Sequence, residues 1–108
     1  MRGQLKLTPE DKAWATRVKE RDGYACVICG STERPNAHHI IVREQHLTKF
    51  DLTNGLTLCP KHHLFCRTIS AHNNPIGIFM WLEKNRPSQY NYLKAKMEYI
   101  LNDGTTTS

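Results

Sequence analysis

The sequence predicts a small α+β domain clipped together by a metal ion, and three observations carry that prediction. Two pairs of metal-type residues stand at two-residue spacing, Cys26-x2-Cys29 and Cys59-x2-His62. Two short stretches with strand character, Ala37 to Arg43 (AHHIIVR) and Gly55 to Cys59 (GLTLC), lie between and beside them. Helix starts marked by proline stand on both flanks. At 108 residues and 39% apolar content, the chain has material for one compact domain over 1–108. A chain this short buries a modest fraction of its surface, so a structural metal helps it.

The first element is a helix over about 8–22. Thr8-Pro9-Glu10-Asp11 supplies a hydroxyl cap, a proline in the first turn and two acids near the positive end of the helix dipole. Asp22-Gly23 stops it, and Trp14 and Val18, four apart, face the core. Tyr24 to Gly30 then forms a tight knuckle around Cys26 and Cys29. A loop over Glu44 to Asn54 separates the two strands. Pro60 starts a second helix through roughly Ile69. Asn74-Pro75 and Pro87 open two more helices over about 75–102, the last with an apolar stripe of Leu93, Met97, Ile100 and Leu101. The polar end, 103–108, reads as a disordered tail.

Zinc takes four soft or borderline ligands in a tetrahedron. Cys26, Cys29, Cys59 and His62 offer that set as two knuckles, with Cys29 and Cys59 thirty residues apart. Cys66 competes with His62, one helical turn further on; the knuckle spacing favours His62 and leaves Cys66 as a buried thiol. The N-terminal MRGQLKLTPEDK has no apolar core of a signal peptide, and no apolar run reaches membrane-spanning length. Four cysteines in that context point to metal rather than disulfides, and to the cytoplasm (that of the host cell if the protein is viral). The net charge of +5 suits a polyanionic partner.

Cys26-x2-Cys29, Ala37-His38-His39-Ile40, Asn54-Gly55-Leu56-Thr57-Leu58-Cys59 and His62-His63, in that order, resemble an HNH endonuclease with a ββα-metal (His-Me finger) core and a structural zinc knuckle. The signature positions are His39, Asn54 and His63, with fourteen and eight residues between them. The resemblance covers about Asp22 to Arg67; small free-standing proteins of this kind are frequent in phages and mobile elements. The zinc-knuckle version usually reads Cys-x2-Cys-His where this chain reads Cys59-x2-His62-His63.

Phosphodiester hydrolysis requires a deprotonated water and stabilisation of charge on the phosphate and leaving oxygen. An imidazole titrates in the range for the first task, and a divalent ion answers the second. The resemblance implies that His39 is the general base, that His38 and His63 hold one divalent ion, and that Asn54 fixes the base by bridging the loop. It also implies products with 5′-phosphate and 3′-hydroxyl ends. Two imidazoles favour Mn²⁺, Ni²⁺ or Zn²⁺ over Mg²⁺, though availability can override affinity. Some family members carry a further metal-side histidine four residues after the last signature position. This chain has Arg67 there, and His46 and His72 read as surface residues. Adjacent strand residues point to opposite faces, so His38 and His39 serve one site only if the ladder breaks near His39.

Arg43, Lys61 and Arg67 are the cations nearest the motif and the expected DNA-phosphate contacts. The chain shows no recognition helix, so cleavage is expected either to be weakly sequence-specific or to depend on a partner protein for targeting, and paired cutting to depend on a homodimer. The alternative is a non-catalytic zinc-ribbon module that binds nucleic acid or protein. Such a module needs the metal cage and the charge but not His39, Asn54 and His63.

Overall fold

The computed structural model describes residues 7–66 and 69–102, so the expected tail over 103–108 lies outside the described residues. The chain divides into two compact units, Met1–Pro60 and Lys61–Ser108.

The first unit packs one helix on a two-stranded sheet. Helix α1 spans Pro9–Arg21. Its start is a reciprocal cap: the Asp11 amide donates to the Thr8 hydroxyl at 3.1 Å, and the Thr8 amide donates to the Asp11 carboxylate at 2.8 Å. Its end unwinds through Gly23 and Tyr24, both at positive φ (69° and 55°), with the Tyr24 amide donating to the Lys19 carbonyl at 2.8 Å. Trp14 and Val18 are buried, as their four-residue spacing predicts.

Strands β1 (Asn36–His39) and β2 (Gly55–Leu58) pair antiparallel, with His38 opposite Leu56 and His39 opposite Gly55. All four residues of β2 are buried. Gly55 explains how α1 lies so close: a Cβ there would stand 2.6 Å from Val18 Cγ2 and 2.8 Å from Trp14 Cζ2. The Arg21 guanidinium also ties α1 to this segment, donating to the carbonyls of Leu52 and Gly55 at 2.8 Å each.

The first strand is shorter than its β-branched composition suggests. It ends at His39 rather than running to Arg43, because a side chain takes over from the opposing backbone. The Ile40 amide still donates to the Asn54 carbonyl at 3.0 Å. The Ile41 amide instead donates to Asn54 Oδ1 at 2.6 Å, and Asn54 Nδ2 donates to the Ile41 carbonyl at 3.0 Å. The chain thus leaves the sheet with its polar groups satisfied.

In the second unit, the expected helix from Pro60 to Ile69 is replaced by one wide π-type turn, Lys61–Phe65. The Cys66 amide reaches back five residues to the Lys61 carbonyl at 2.7 Å. The next carbonyls, of His62 and His63, accept instead from the amides of Ala71 and His72, at 2.9 and 3.1 Å. The chain folding back therefore takes the acceptors that a continuing helix would use. Helices α2 (Pro75–Asn85) and α3 (Pro87–Asn102) form a hairpin closed by Ile78, Leu82, Leu93 and Ile100, with Phe79 edge-on to Tyr90 at 5.2 Å. The stripe on α3 is narrower than expected: Leu101 is 65% exposed, because of two consecutive residues only Ile100 can face α2.

Replacing Gly55 by alanine should lower unfolding stability by about 1–3 kcal/mol, because the buried Trp14 and Val18 side chains, or the helix that carries them, must shift to admit the methyl group. Denaturant titration of Gly55→Ala against wild type measures it; an unchanged midpoint would show that α1 can shift freely.

Candidate active site and metal centres

His39 closes β1 and lies flat against Trp14, with ring centroids 3.8 Å apart and planes 5° from parallel. Its Nε2 is 2.9 Å from the Lys49 carbonyl oxygen. A carbonyl only accepts, so Nε2 carries the proton, and in the neutral ring Nδ1 keeps the lone pair. Burial, ahead of the positive charge of Arg43, pushes His39 below its ordinary value despite the opposing carbonyl contact.

Asn54 is fully buried and sits where a 3₁₀ turn, Leu52–Asn54, meets β2. Besides its two bonds to Ile41, Nδ2 donates to the Thr48 carbonyl at 3.2 Å. Thr48 precedes Lys49, whose carbonyl holds His39. The Trp14 indole N–H donates to the Asp51 carbonyl at 2.8 Å, anchoring the far end of the same loop. One carboxamide and one indole therefore define where the loop carbonyl meets the imidazole.

Arg43 donates to the Asp11 carboxylate at 2.8 Å. The Thr8 backbone amide, then the Arg43 and Thr8 side chains, outweigh burial and bring the Asp11 carboxyl from 3.8 down to about 2. Sequence reasoning saw Asp11 only as a helix-start acid; no local signal links it to Arg43. A cleft of about 440 Å³ opens here, lined by Asp11, Lys12, Trp14, Lys19, His39 and Arg43 among others.

The cysteine knuckle turns on Gly30, at φ 79°, with the Gly30 amide donating to the Cys26 carbonyl at 2.8 Å. The Val27 amide fastens it to β2 through the Thr57 carbonyl at 3.0 Å. Cys29 Sγ and Cys59 Sγ are 3.7 Å apart. Two sulfurs on one tetrahedral zinc lie about 3.8 Å apart, from Zn–S bonds of about 2.3 Å. The Ser31 backbone amide lowers the Cys29 thiol, but burial and the nearby thiols of Cys59 and Cys26 together raise it. Cys26, Cys29 and Cys59 form a group whose ligand atoms all lie within 4.8 Å of one another, and it could hold a metal ion such as zinc; the sequence places His62, three residues past Cys59, as the fourth candidate. His62 is buried, and burial followed by the charge of Lys61 keeps its pKa low, as a neutral ligand requires. Cys66 stands outside this group and is half-buried rather than buried, because it lies beyond the end of the turn.

His38 is half-buried in β1, and the ladder ends at the next residue, His39. His63 lies in the Lys61–Phe65 turn, and Lys61 is exposed. His63 meets His72 edge-on, with centroids 4.7 Å apart. Burial, followed by the His72 ring, lowers the His63 pKa. Arg67 lies outside the described residues. Among the described residues, no helix is long and apolar enough to cross a membrane.

Residues 26–67 match the HNH endonuclease family model. The match takes in both cysteine knuckles and all three signature positions, and points to nuclease-type function on nucleic acid. No curated protein and no solved structure matches the chain.

Loss of zinc should unfold the knuckle. Cys29→Ser and His62→Ala should leave the protein without zinc by mass spectrometry and lower its melting temperature, whereas Cys66→Ala should keep both. Zinc loss in Cys66→Ala would reassign the fourth ligand. The Asp11 carboxyl titrates lower in the folded chain than unfolded, so its contribution to stability is complete above 3.8 and disappears as pH falls through about 2. The stability gap between wild type and Asp11→Asn should therefore close across that window, by denaturant titration at each pH. A gap that stays constant would show that ionised Asp11 adds nothing.

Proposed function

We propose that this chain is a metal-dependent DNA endonuclease that hydrolyses phosphodiester bonds to 5′-phosphate and 3′-hydroxyl ends, with His39 as general base. The observation that carries this reading is the double constraint on His39. The Lys49 carbonyl accepts a hydrogen bond from Nε2–H, and Trp14 fixes the ring plane, so that Nδ1 is left as the basic atom. A structural histidine in a binding module has no need of that arrangement.

In the proposed reaction, Nδ1 of His39 accepts a proton as the water oxygen bonds to phosphorus. The bond from phosphorus to the 3′ oxygen breaks, and that oxygen is protonated from solvent. Asn54 acts as a positioning residue: through Thr48 it sets the carbonyl that orients His39. His38 and His63 would hold one divalent ion, and borderline imidazole donors fit Mn²⁺, Ni²⁺ or Zn²⁺ better than Mg²⁺. When bound, such an ion supplies Lewis-acid stabilisation at the phosphate and the leaving oxygen. Lys61 contacts the DNA backbone, with Arg67 on the same stretch. Arg43, while paired with Asp11, contributes its field beside His39. Scission of both strands would need a homodimer, and choice of site a targeting partner. We place this action in the cytoplasm, where reduced cysteines retain metal.

Supercoiled plasmid incubated with Mg²⁺, Mn²⁺, Ni²⁺ or Zn²⁺ tests the proposal. Wild type should nick with at least one of these ions and not with EDTA. His39→Ala should lose about 100-fold or more in rate while retaining its zinc and its fold. Undiminished cleavage by His39→Ala, or none by wild type with any ion, would refute the enzyme reading.

A further inference from the structure

His72 lies nine residues past His63, at no spacing that marks a metal ligand. The structure nevertheless brings the two rings together. Two backbone bonds hold the returning chain against the histidine turn, from the Ala71 amide to the His62 carbonyl and from the His72 amide to the His63 carbonyl. The return is shaped by Ser70, fully buried: its hydroxyl accepts from the Asn73 amide at 3.0 Å, and its carbonyl accepts from the Asn74 amide at 3.0 Å. His72 is thus placed by main-chain geometry while its ring stays exposed.

The ligand nitrogens of His63 and His72 lie within 4.8 Å of each other. Neighbouring nitrogens on one ion stand about 3.0–3.4 Å apart, from metal–nitrogen bonds of about 2.1 Å. A modest rotation of an exposed ring closes the difference. Among the described residues no carboxylate is part of this group, so the donors there are imidazoles.

We propose that His72 is a further protein ligand of the catalytic divalent ion, binding it together with His63 from the returning loop; this rests on the endonuclease reading above. The loop ligand takes the place of the family's metal-side histidine, where this chain carries Arg67. An ion so held depends on the Ser70 turn, and imidazole donors select borderline metals over Mg²⁺.

Calorimetric titration of zinc-loaded protein with Ni²⁺ tests this, comparing wild type with His72→Ala, His72→Gln, His63→Ala and His46→Ala. Zinc content and melting temperature are measured on each. Both His72 variants should bind Ni²⁺ about 10-fold or more weakly, keep their zinc and melt as wild type does. They should also need correspondingly more Ni²⁺ for half-maximal plasmid nicking, and His46→Ala should match wild type throughout. Wild-type Ni²⁺ affinity in the His72 variants, with affinity lost in His63→Ala, would overturn the ligand assignment and leave the endonuclease reading standing. Loss of zinc or of fold in both His72 variants would show a structural role and equally overturn the assignment. A wild type that takes up no Ni²⁺ beyond its zinc site would likewise overturn the assignment, while the endonuclease reading is decided by plasmid nicking across the four ions.

Discussion

The buried carboxamide of Asn54 is the contact on which the first unit depends. It pairs with the Ile41 amide and carbonyl as an opposing strand would, and then reaches on to the Thr48 carbonyl. A backbone strand at that place would extend the ladder and carry the chain straight on. A side chain instead ends the ladder at His39 and lets the loop curl back until the Lys49 carbonyl meets the imidazole. Three good bonds in a buried setting make the substitution stable, and losing the carboxamide would remove the partner of both the Ile41 amide and the Ile41 carbonyl.

The helix beneath completes the support. Trp14 presents its face to His39 and its N–H to Asp51, so one residue constrains both the ring and the loop over it. That double use is available only because Gly55 lets α1 approach β2 at the distance of a missing side chain. Asp11 joins the start of the same helix to Arg43, just past the strand. Fold stability and the orientation of the proposed base therefore share the same few contacts.

The histidines divide by local surroundings. His62 is buried, and its place three residues past Cys59 completes a soft donor set suited to zinc. His63 lies one residue on in a widened turn, beside His72. The π-type turn and the returning chain account for that arrangement: carbonyls released from helical bonding accept the amides that carry His72 into place.

The sequence by itself determined the elements whose cause is local. Thr8, Pro9 and Asp11 specify the helix cap, the two-residue spacing of Cys26 and Cys29 specifies the knuckle, and proline starts α2 and α3. The ordered histidines and asparagine were enough to point to the family that residues 26–67 match. Only the tertiary structure decided where β1 stops, how short the turn after Pro60 is, that Arg43 pairs with Asp11, and that His72 reaches His63. Each of these depends on a partner far along the chain taking a hydrogen bond or a charge that local propensity would have assigned to a neighbour, and a linear pattern holds no record of that competition.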